Sequence, residues 1–90
     1  MDDNEFYDRT EALVEALLPR IPDELVPNFE SMLIGGEFPM AVSELVATLV
    51  KRAIPISPAE RDELRGLVQD MNDDVLLAKL EGLTVQAAAS

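Results

Sequence analysis

The chain predicts an all-α fold, a small bundle of four to five short antiparallel helices, on three grounds. Hydrophobic residues make up 48% of its 90 residues, enough for one core in a chain too short for a second. Aromatic rings are scarce, with three Phe, one Tyr and no Trp, so Leu, Val, Ile, Ala and Met must fill that core. A β-sandwich would want more β-branched and aromatic residues in alternation, and no stretch alternates convincingly. The helical domain is expected over residues 1–83. Residues 84–90, "TVQAAAS", lack a periodic face and read as a loose tail.

Helical spacing places Phe6, Thr10, Leu13, Val14, Leu17 and Leu18 on one side of a first helix from about Asn4 to Leu18. Pro19 and Pro22 end it. A second helix starts near Asp23 with Leu25, Val26, Phe29, Met32 and Leu33 as its apolar stripe. Pro27 is tolerable there because first-turn N–H groups lack helical partners anyway. The third and most apolar helix, Glu37 to Ala53, turns Phe38, Ala41, Val42, Leu45, Val46, Leu49, Val50 and Ala53 inward, which predicts a central position. "IPISPAERDEL" is the clearest local signal. Ser57, Pro58 and Glu60 spell a capping box with proline at the first helical position, and Ile56 sits where a hydrophobic staple would. The fourth helix continues to about Met71 through Leu64, Leu67 and Val68. After a break at Asn72, a short fifth helix from Asp73 to Glu81 presents Leu76, Leu77 and Leu80.

The stretch "GGEF", Gly35 to Phe38, superficially suggests the hairpin of diguanylate cyclases. That site needs a β-hairpin, a longer domain and metal-binding carboxylates on neighbouring strands. A helix joint accounts for each residue instead: a glycine supplies the left-handed cap of the second helix, and Glu37 meets the positive end of the third. Asp70, Asn72, Asp73 and Asp74 lack the spacing and the glycine of a calcium loop and read as helix caps. Ser57 lacks the Asp-Ser-Leu context of a carrier-protein attachment serine. Met32, Met40 and Met71 read as core filler.

Cysteine and histidine are both absent, which removes disulfides, thiolate nucleophiles, the commonest general base and the commonest metal ligand. No glycine-rich phosphate loop is present. A non-enzymatic protein without cofactor or metal is expected. No apolar run approaches the roughly 18 residues of a membrane span. The start "MDDNEFYD" is acidic where a signal peptide is basic, so the expectation is a cytoplasmic protein.

Net charge is −11, and it is uneven. Residues 1–44 hold 11 acids against Arg9 and Arg20, a net of −9, and residues 45–90 hold 7 acids against 5 bases, a net of −2. Such a surface repels nucleic acid and anionic membrane and favours a basic protein partner. The first helix sets Asp8, Glu11 and Glu15 on one flank, although like charges at i,i+3 and i,i+4 cost an isolated helix roughly 0.2–0.5 kcal/mol per pair. Solubility alone could account for that flank; a surface that imitates phosphate and docks on a basic cleft is the sharper reading. Its candidate contacts are Tyr7, Asp8, Glu11, Glu15, Asp23, Glu24, Glu30, Glu37 and Glu44, with Tyr7 as a ring anchor.

Between Leu25 and Met71, Gly36-Glu37-Phe38 opens a helix, and Ala41, Leu45 and Leu49 follow at helical spacing. An Ile54-x-Ile56-Ser57-x-x-Glu60 connection then leads into the next helix. In this pattern the chain resembles the MafI family, small immunity proteins of bacterial polymorphic-toxin systems. The resemblance implies a partner that binds and silences a toxin, often a nuclease, made by the same cell. The alternative is a helical interaction or regulatory protein, such as a homodimer joined through Leu76 and Leu80 of the fifth helix.

Overall fold

The computed structural model describes residues 1–86, and its five helices are α1 (Asp3–Leu17), α2 (Val26–Ile34), α3 (Phe38–Lys51), α4 (Pro58–Asp70) and α5 (Asp74–Lys79). Among the described residues no helix is long and apolar enough to cross a membrane. The helical class and the order of elements agree with the periodicity.

Asp2 caps α1 by accepting the Glu5 N–H at 2.8 Å. Phe6, Thr10, Leu13, Val14 and Leu17 are its buried stripe. Pro19 converts the end of α1 into a 3-10 turn, Leu18–Arg20, and a second such turn, Asp23–Leu25, leads into α2 with Pro27 in the first turn. The Gly-Gly joint is a Schellman cap. Gly36 takes φ +71°, its N–H reaches the Leu33 carbonyl at 3.2 Å, and the Glu37 N–H reaches that of Met32 at 2.9 Å. Glu37 occupies the N-cap position of α3, one step outside the helix, and its carboxylate makes no capping bond.

α3 is central, packing against each of the other four helices or their immediate extensions. Val42, Leu45, Val46 and Leu49 are at most 1% exposed. Burying each such side chain contributes about 1.5–3 kcal/mol, against about 0–1 kcal/mol for an exposed ion pair, so this stripe anchors the bundle. The helix ends at Lys51, two residues short of the sequence expectation. Ala53 is exposed at φ +51° and does not face inward; it is the left-handed residue of a second Schellman cap, with Ile54 N–H on the Leu49 carbonyl at 3.1 Å. Asn72 is likewise left-handed after α4 at φ +54°, its N–H on the Gln69 carbonyl at 3.1 Å, and Asp73 then caps α5 by accepting the Leu76 N–H at 2.9 Å.

The capping box forms as expected, with Glu60 N–H on Ser57 Oγ at 3.1 Å and Ser57 N–H on Glu60 Oε1 at 2.8 Å. Ile56 departs from the staple reading, because the fourth helical residue it would meet is Arg61. It is instead buried in the core and pairs with the segment read as a loose tail. Its N–H bonds the Thr84 carbonyl at 3.0 Å, and its carbonyl accepts the Gln86 N–H at 2.9 Å, beside a parallel bridge to Val85. Residues 84–86 therefore belong to the packed domain, and 87–90 lie outside the described residues. Leu76 and Leu80 face the core at 3% and 5% exposure, so α5 offers neither as a dimer face. Met32 is core and Met71 packs at its edge, but Met40 is exposed and fills nothing.

Candidate functional site

α1 presents three faces, and each meets a different environment. The core stripe turns toward α3. A second face, Arg9, Ala12 and Ala16, turns toward α4. The third, Tyr7, Glu11, Glu15 and Leu18, turns toward α2 and the start of α3.

Both arginines of the acidic half are consumed on the α4 side. Arg9 grips Glu63 with two nitrogens, the Nε bond at 2.9 Å. Arg20 holds Glu60 with two bonds of 2.8 and 3.0 Å and also reaches the Pro55 carbonyl at 3.2 Å. These bidentate contacts hold the Glu60 and Glu63 carboxyls below the usual glutamate range, with partial burial opposing the shift. For Glu60, the Ser57 N–H of the capping box pulls in the same direction.

The α2-facing side is left without a cation. There Glu11 and Glu15 from α1 and Glu30 from α2 line an open groove of about 270 Å³ together with the apolar Leu18, Leu33 and Ile34, the last at its exposed edge. Ile34 is 88% exposed, the most accessible of the large apolar side chains. None of the three carboxylates has an ion-pair partner among the described residues. Among those residues, no three acids converge closely enough to hold a metal ion.

The nine sequence candidates thus separate. Glu11, Glu15 and Glu30 come together at the groove. Tyr7 stacks on Phe38 with ring centroids 4.6 Å apart and remains 38% exposed, on the same side of α1. Its ring is a partly committed packing group with one accessible edge. Asp8 lies on the outer flank of α1, and Glu37 at the α2–α3 joint; both are exposed. Glu44 lies between two other clefts, one with Met40 and Ser31 and one with Lys51 and Arg52. Glu24 is 3.9 Å from Arg52, and Asp23 opens the 3-10 turn before α2. Asp8, Glu37, Glu44, Glu24 and Asp23 do not join the groove.

Sequence reasoning missed the apolar floor. Leu18 and Leu33 fall on the helix stripes and do pack against the core, but each is only half-buried and keeps a side toward the groove. Ile34 had a usable signal: it follows Leu33 by one residue, about 100° off the stripe of α2, where an apolar side chain has no core to enter. Compared with family models, curated proteins and solved structures, the chain matches none.

Proposed function

We propose that this chain is a non-enzymatic binding protein that occludes a basic site on a protein partner. In its specific form the partner is a bacterial toxin domain, of the nuclease type, and the chain is its immunity protein, as the resemblance to the MafI family implies. One observation carries the reading. Glu11, Glu15 and Glu30 line a groove with the half-buried Leu18 and Leu33 and the exposed Ile34, while the nearby cations Arg9 and Arg20 are tied up on the α4 side. Unpaired carboxylates around an apolar floor suit a basic surface with apolar contacts at its centre.

A nuclease's substrate cleft has that chemistry, since it must bind phosphates, and an acidic protein seated there competes with nucleic acid. Charge steering raises the association rate, and salt suppresses it. The test is co-expression with a lethal, basic toxin domain encoded beside this chain. Rescue is expected, together with a purified complex whose association rate falls about tenfold or more between 50 and 500 mM salt. Survival without a complex, or a salt-independent rate, would overturn the electrostatic occlusion.

A further inference from the structure

The groove between α1 and α2 has a size and a lining that go beyond general acidity. At about 270 Å³ and open to solvent, it has room for one side chain and none for a whole helix. Its floor is apolar and its rim is anionic. An occupant must therefore carry a hydrocarbon stem that ends in a cation.

Arginine and lysine both have that form, and the floor discriminates between them. An ammonium is compact and strongly hydrated, and lying against Leu18, Leu33 and Ile34 would strip that water. A guanidinium is planar and weakly hydrated, tolerates an apolar surface beneath it, and offers five donors to carboxylates on more than one side. Arg9 and Arg20, the cations nearest in sequence, cannot fill the groove because both are held by Glu63 and Glu60 on the α4 side. The acceptors on the rim remain available to an incoming group.

We propose that the α1–α2 groove receives an arginine side chain of the basic partner, its stem on Leu18, Leu33 and Ile34 and its guanidinium among Glu11, Glu15 and Glu30. This rests on the partner reading above and names the residue through which the partner is recognised.

The test uses the full chain and two twelve-residue alanine–glutamine peptides, one with three arginines and one with three lysines at the same positions, titrated at 150 mM salt. The arginine peptide is expected to bind at least threefold more tightly, with amide shifts centred on Glu15, Leu18, Glu30 and Ile34. Ile34→Asn should remove that preference, and because Ile34 is so exposed its replacement leaves the fold intact, checked by thermal melting. Glu30→Gln should weaken both peptides, whereas Glu44→Gln should spare the preference. Equal binding of the two peptides, or a preference that survives Ile34→Asn, overturns the proposal. A basic protein partner that binds Ile34→Asn as tightly as the wild type would overturn the groove and leave the partner reading standing. An arginine preference without any basic protein partner would do the reverse.

Discussion

Glu15→Lys should make the free protein more stable and its association with a basic partner weaker. Glu15 lies in the last turn of α1, which carries no basic residue, and Glu11 stands one turn before it. A negative charge there opposes the helix macrodipole, and a positive one is favoured by about 0.3–1 kcal/mol, the lower figure applying to an exposed site. Removing the Glu11–Glu15 repulsion returns roughly 0.2–0.5 kcal/mol, and a Glu-to-Lys pair in the favourable order adds about as much again. Glu30 across the groove acts in the same sense. The sum is about 1 kcal/mol, which for a domain of this size raises Tm by about 4–8 °C. Far-UV circular dichroism melts and urea titrations in low salt would read it, with Glu15→Gln as the neutral control, expected to give less than half the gain. Most of the gain should vanish in about 1 M salt, where the Debye length is near 3 Å. A lysine variant no more stable than the glutamine variant, or a gain indifferent to salt, would refute the reasoning. Opposite signs for stability and association would mean that the acidic groove is maintained at some cost to the fold.

Thr10 is 1% exposed, and its hydroxyl has no hydrogen-bond partner among the described residues, so Thr10→Val should stabilise by about 1 kcal/mol in urea titration and Thr10→Ser should not. Ala53→Gly relieves a left-handed alanine and should raise the melting midpoint, a gain of about 0.5–1 kcal/mol after the larger unfolded-state entropy of glycine is subtracted. Glu60 and Glu63 have lowered carboxyl pKa values in the folded state. Their contribution is therefore present above the unfolded glutamate value of about 4.3 and is lost as pH falls through the lower folded values. Arg9→Met combined with Arg20→Met should narrow the stability gap to wild type as the medium is acidified. A gap that widened on acidification would contradict this assignment.

Legibility in the sequence followed locality. The Ser57 capping box, the glycine joint and the α3 stripe from Ala41 to Leu49 each involve residues within a few positions of one another, and each is found as read. Ala53 defeated the reading because alanine is the best helix former and extends a pattern that the chain in fact ends with a Schellman cap. The pairing of Ile56 with Thr84–Gln86 joins segments nearly thirty residues apart, and a single backbone bridge leaves no alternation to detect. The acidic side of α1 was visible as a list of charges. Which carboxylates would remain unpaired was not, because that depends on how α4 docks and draws Arg9 and Arg20 toward Glu63 and Glu60. The groove was equally hidden, since periodicity orients each helix and says nothing of the space between two of them.

The bond pair at Ile56 also makes the stability of the bundle depend on residues 84–86. A chain cut after Leu83 would leave the N–H and carbonyl of Ile56 without their partners in a residue 2% exposed. The cut would hand both groups to water, losing about 0.5–1.5 kcal/mol for each hydrogen bond and uncovering the Ile56 side chain as well, against a total that for most domains is only about 5–15 kcal/mol. Thr84–Gln86 thus closes α4 and α5 into a ring whose clasp is the connector leading out of α3. Shortening the chain at this end should unfasten the ring and slacken two helices at once, and α1, which packs on α4 as well as on α3, would lose part of its support with them.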